Sequence, residues 1–174
     1  MLKLSYFISI LFFPGIIIHE LAHIIACLIL GVKIHSVNLL SFDGGYVAHE
    51  ESKSYKTVVI ALFPFIFNIL IAILIGAYLV YIENNYIKGI LSWIAISSLF
   101  YAFPSSQDSA NVYESIKRSY TKRQSIIMWF IKIMLLPITI LILVFSFLIK
   151  IMDKLIIFRI CLIMLWIYLF LVIV

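Results

Sequence analysis

Apolar residues come in long runs along this chain, broken by short polar intervals. Five runs can be drawn, at about 4–30, 57–82, 87–103, 125–149 and 155–174. Each is near the roughly 20 residues that an α-helix needs to cross a hydrocarbon core. Between the first two the period changes. Val32 to His49 alternates weakly, with Val37 and Leu39 before, and Tyr46 and Val47 after, the sequence Asp43-Gly44-Gly45, which reads as a β-hairpin turn. The interval 104–124 is a polar break, and the connector 83–86 is too short to hold a domain. The pattern predicts an all-α polytopic membrane protein of about five transmembrane helices, with a short β-hairpin after the first. Residues 1–124 form one unit, and two C-terminal helices follow in 125–174.

Composition agrees. Of 174 residues, 65% are hydrophobic and 12% charged, about half the charged share of a soluble domain. The first run is too long for a signal peptide and no small-residue cleavage site follows it, so it reads as a retained span. The net charge of +5 is no nucleic-acid footprint, because the basic residues lie between the apolar runs. Five alternating spans put Lys33, Lys53, Lys56, Lys117, Arg118, Lys122 and Arg123 on one side, and Lys3, Lys88, Lys150 and Lys154 on the other. That bias predicts a cytoplasmic hairpin side and an outside N-terminus, in a plasma-membrane protein. Lys132 and Arg159 fall inside runs, close enough to their ends to snorkel.

One group breaks the apolar logic of the first run: His19-Glu20-Leu21-Ala22-His23. Ionisable groups at bilayer depth cost roughly 2.5–3.5 kcal/mol each, so they mark functional sites by default. A helix returns to one face every 3.6 residues, which projects His19 and His23 together, and two imidazoles so placed can bind one zinc ion. Glu20, about 100° round, reaches a water at the metal. Cys27, one turn beyond His23, reads better as a small packing residue than as a ligand.

A catalytic zinc takes three protein ligands, and the motif supplies two. A further histidine six residues on is absent, since position 29 is Ile29. Asp43 belongs to turn chemistry, Glu50 and Glu51 to a solvated stretch, and His35 and His49 flank the hairpin. Asp108, in the polar break, remains. His23 is seven residues from Leu30, and Asp108 nine from Lys117. At 1.5 Å per residue both lie roughly 10–14 Å below the same membrane face. The other reading makes 104–124 a cytoplasmic loop in which Asp108 caps a helix. Ser105, Ser106 and Gln107 would line a polar path for water, and Asn111 shares a face with Asp108 if helix resumes. Asn68, in an apolar run, reads equally as an interhelical hydrogen bond or as a functional group.

His19-Glu20-Leu21-Ala22-His23 followed by Leu30-Gly31-Val32-Lys33 resembles the first core helix of the site-2 protease family of intramembrane zinc metalloproteases. Phe63-Pro64-Phe65-Ile66-Phe67-Asn68 is similar to its second core helix, with the glycine before the proline lost. Pro104-Ser105-Ser106-Gln107-Asp108-Ser109 is similar to its third, with Ser109 in place of glycine. The likeness spans roughly residues 10–115 and is that of a minimal or divergent member. It implies a three-helix catalytic core with a membrane-associated hairpin, and zinc held by His19, His23 and Asp108. It also implies Glu20 as general base and acid, Asn68 as a clamp on the substrate backbone, and transmembrane proteins as substrates. Two rival classes use the same metal site: a metal transporter or sensor, and a catalytically silent scaffold. The last two runs carry no evident chemistry, and the pattern fixes neither substrate nor oligomeric state.

Overall fold

A computed structural model describes residues 2–40, 45–121 and 126–172. The described residues are mostly helical, with one two-stranded sheet among them. The first apolar run forms two helices rather than one, α1 (Leu2–Leu11) and α2 (Phe13–Leu30). Pro14 is the cause: it lacks the N–H that would reach Ile10, and it starts α2 within its first two positions, where that donor is not needed. α2 ends at Gly31, whose φ of 62° is left-handed and suits glycine. Val32 N–H closes the end on the Cys27 carbonyl at 2.8 Å, and the Lys56 ammonium donates to the Leu30 carbonyl at 2.6 Å. A cation there is favoured by the helix dipole.

The hairpin forms as β1 (Ile34–Asn38) and β2 (Tyr46–His49), antiparallel, with Val37 opposite Val47 and an irregularity between Ile34 and Ser36. Asp43 and Gly44, where the turn was expected, lie outside the described residues. α3 (Ser54–Leu79) keeps Pro64 inside an unbroken helix, and α4 (Asn85–Phe100) starts on the side chain of Asn84, which accepts the N–H groups of Tyr86 and Ile87. The polar break is short. After Tyr101–Ser105 helix resumes as α5 (Ser106–Thr121), whose Val112 and Ile116 pack on Ala61 of α3. α2 and α3 run antiparallel, Leu30 meeting Lys56 and His23 meeting Ile60. α3 and α4 do the same, with Ser98 at Asn68.

The C-terminal part departs from two simple spans. The run 125–149 divides into α6 (Ile126–Met134) and α7 (Leu136–Lys154) at Pro137, for the reason given for Pro14. α7 also takes in Lys150 and Lys154, which were expected in a connector. α8 (Ile156–Ile167) continues as a wide helical turn, Tyr168–Val172. Its Arg159 lies by Phe100 and Tyr101, Trp166 donates to the Ala72 carbonyl, and Phe170 rests on Gly76. α8 therefore runs the same way as α3. Five strictly alternating spans require the opposite. α7 still runs antiparallel to α5, with Tyr120 at Thr139 and Ser109 at Ser146, so the expected alternation fails between α7 and α8. The Arg159 guanidinium lies over the ring faces of Phe100 and Tyr101, an arrangement that attracts a cation. Among the described residues two helices, α2 and α3, are long and apolar enough to cross a membrane.

Candidate metal centre

His19 and His23 sit one turn apart on the buried face of α2, their rings 5.0 Å apart and steeply inclined (76°). Close helix packing brings them to their partners. Gly15, a turn before His19, abuts the backbone of Ser97, a turn before Tyr101, and a Cβ at Gly15 would strike the Ser97 carbonyl. Nδ1 of His19 then lies 2.7 Å from the Tyr101 carbonyl oxygen, and Nδ1 of His23 lies 3.0 Å from that of Ile60. A carbonyl only accepts, so each Nδ1 carries a proton, and Nε2 is the atom left to serve as a metal ligand when the ring is neutral.

Prolines leave both carbonyls open. Ile60 would bond to the N–H of residue 64 in a regular helix, but that residue is Pro64 and has none. Tyr101 lacks a donor at Pro104 for the same reason, and the N–H of Ser105 is turned to Asp108. A buried carbonyl without a partner is costly. The two imidazoles satisfy these oxygens and are aimed by them.

Asp108 approaches from the first turn of α5. Ser105 and Asp108 form a reciprocal capping box. The Ser105 N–H and hydroxyl donate to Oδ2 of Asp108 at 2.8 and 2.7 Å, and the Asp108 N–H donates to Ser105 Oγ at 3.1 Å. Capping and facing the histidines are thus one arrangement rather than two alternatives. Oδ1 lies 3.4 Å from Nε2 of His23, and Oδ2 lies 3.8 Å from Nε2 of His19.

Among the described residues His19, His23 and Asp108 form a group that could hold a metal ion, their ligand atoms all within 4.8 Å of one another. A tetrahedral zinc about 2.0–2.1 Å from each ligand would separate the ligands by about 3.3–3.4 Å. The 3.4 and 3.8 Å distances run to different oxygens of Asp108 and the ligand atoms spread to within 4.8 Å, so the three side chains would draw together around an ion. Two imidazoles and one carboxylate suit zinc chemically.

Glu20 is 7% exposed, like both histidines. The turn end of the hairpin, where Gly45 leads into β2, lies on it. A side chain at Gly45 would run into Cγ of Glu20 and come within 3.0 Å of its carboxyl carbon. Glycine at 45 thus lets a strand backbone touch the carboxylate-bearing side chain.

Other candidates lie elsewhere. Asn68 is fully buried, its amide donating to the Pro64 carbonyl at 2.9 Å and its Oδ1 accepting from the Ser98 hydroxyl at 2.8 Å. That makes Asn68 a lock between α3 and α4, where a substrate clamp was also expected. Cys27 packs with Ala26, Val32 and Ile60. Asn111 accepts from Gln107 at 3.0 Å and is exposed, so it does not support Asp108. Ser106, Gln107, His35, Glu50 and Glu51 are also exposed, and His49 is half-buried. A cavity of about 860 Å³ between the hairpin exit, α5 and α7 is lined by Asn111 but by none of the four site residues. The residue that sequence reasoning undervalued is Ser105, assigned to a water path. The Ser-x-x-Asp spacing before a helix was its signal. Comparison of the chain with protein-family models, curated proteins and solved structures returned no match.

Proposed function

We propose that this chain is an intramembrane zinc metalloendopeptidase, of the site-2 protease kind, that hydrolyses peptide bonds in or near transmembrane segments of other membrane proteins. One observation carries the reading: the ligand atoms of two histidines and an aspartate converge beside a buried glutamate that shares the apolar helix of the histidines. Large apolar side chains on the outer faces of α2 and α3, such as Leu28, Ile29, Ile66 and Leu74, favour a bilayer around them. We place the N-terminus outside and the site toward the cytoplasm, since Lys33, Lys53, Lys56, Lys117 and Arg118 gather at the hairpin end, against Lys88 at the other.

His19, His23 and Asp108 would hold the ion, which when bound supplies Lewis acidity to water and to the scissile carbonyl. The chain's own part is proton management. The Glu20 carboxylate takes a proton from the attacking water as its oxygen joins the carbonyl carbon, then gives it to the amide nitrogen as the C–N bond breaks. His19 and His23, held by the Tyr101 and Ile60 carbonyls, stay out of that transfer. Gly45 leaves Glu20 room beside a strand backbone.

The test uses purified protein in liposomes with a transmembrane peptide. Wild type should bind one zinc and cleave. Glu20→Gln should keep the zinc and lose on the order of 10²–10⁴-fold in rate, the usual share of a general base. Cleavage by Glu20→Gln at the wild-type rate would refute the mechanism. Zinc binding without cleavage by either protein would leave a metal-holding scaffold or carrier in its place.

A further inference from the structure

Arg159 is the one charge in the described part of α8, Ile156–Ile167, which is otherwise apolar except for Cys161. Its guanidinium carbon lies 4.8 Å from the centre of the Phe100 ring and 5.9 Å from that of Tyr101. Those two residues end α4. Phe100 is buried, stacked on Phe12 at 4.6 Å, and meets the Tyr101 ring edge-on at 5.4 Å. The Tyr101 hydroxyl reaches Ser9 at 3.5 Å. Two turns further along α8, the Trp166 indole is fixed to the Ala72 carbonyl at 2.7 Å.

Packing alone would be served by an apolar side chain at this place in the bundle, and a charge in an apolar helix is costly. The ring faces favour a cation there, as does the carbonyl end of α4 with its negative dipole. The segment so held is the one whose Tyr101 carbonyl aims His19. We propose that Arg159 is a positioning residue for the metal centre, clamping the C-terminal turn of α4 so that the Tyr101 carbonyl keeps the His19 ring in its ligand orientation. The catalytic meaning of this clamp rests on the metalloprotease reading; the clamp itself does not. It gives the C-terminal helices a part in the site.

The experiment reads the imidazole N–H protons of ¹⁵N-histidine-labelled full-length protein, metal-free, in micelles, with assignment by single His→Gln changes. His23, bonded to Ile60 on α3, is the internal control. In wild type both Nδ1 protons should exchange slowly. Arg159→Met, which keeps length but not charge, should speed exchange at His19 at least tenfold and leave His23 unchanged. Phe100→Leu, which keeps the charge but not the ring, should do the same and serves if Arg159→Met fails to fold. Arg159→Lys should recover most of the protection. Zinc Kd should rise about tenfold in Arg159→Met, as for loss of a ligand's outer partner. An unchanged His19 signal in Arg159→Met or Phe100→Leu, or equal changes at both histidines, overturns the proposal. If wild type binds no zinc, the metal reading falls, while the comparison of the two histidines still decides the clamp.

Discussion

Replacing Pro64 by alanine should make the protein more stable and its metal centre weaker. Alanine brings an N–H to position 64, where it can bond to the Ile60 carbonyl in the ordinary helical way. Proline inside a helix costs about 3 kcal/mol relative to alanine. Pro64 is fully buried, and trimming two methylenes forfeits about 1.6 kcal/mol at 0.8 kcal/mol each. The net is a gain of about 1–1.5 kcal/mol. His23 now competes for its acceptor at 3.0 Å, and losing such a partner typically weakens metal binding 10–100-fold. That is about 1.4–2.8 kcal/mol. The assay pairs thermal unfolding in excess chelator with zinc titration against a competing chelator. Opposite signs in the two measurements are the expected result. A variant of unchanged zinc Kd, however stable, would refute the idea that the open carbonyl orients His23.

Two further outcomes follow from contacts at the site. Ser105→Ala removes the hydroxyl that caps α5 and steadies Asp108, and should cost about 1 kcal/mol in unfolding free energy and about tenfold in zinc affinity. Gly45→Ala places a Cβ against Glu20. It should lower the cleavage rate severalfold or more with zinc content unchanged, read by metal analysis beside the peptide assay; an unaltered rate would mean that the hairpin yields freely.

The legible parts of this site were local ones. His19, Glu20 and His23 announce themselves because five consecutive residues set their geometry, and because charge in an apolar run needs a reason. Asp108 was reachable by matching depth across two helices. Other features depend on which helix packs where. That Pro64 serves His23 follows only once Ile60 is known to face α2, and that Arg159 lies on Phe100 follows only once α8 is known to run alongside α3. The breaks at Pro14 and Pro137 were readable from proline chemistry alone, yet the apolar runs around them concealed where one helix stops and the next begins. Asn68 shows the opposite hazard: an amide in an apolar run has two good explanations, and its bond to Ser98 bears out the interhelical one.

The group that faces the proposed ion joins α2 to α5, with His23 and Asp108 separated by 85 positions (108 − 23) along the chain. An ion shared by both would be a cross-link as well as a reagent. Tying a loop of that length restricts the unfolded chain by an amount on the order of 4–5 kcal/mol in the chain-entropy account of covalent links, an upper bound for an exchangeable bond. Zinc supply would then govern how long the protein lasts as well as how fast it works. The seam that opens first on stripping the ion would be the short stretch from Tyr101 to Ser105, the same residues that aim a histidine and anchor the aspartate.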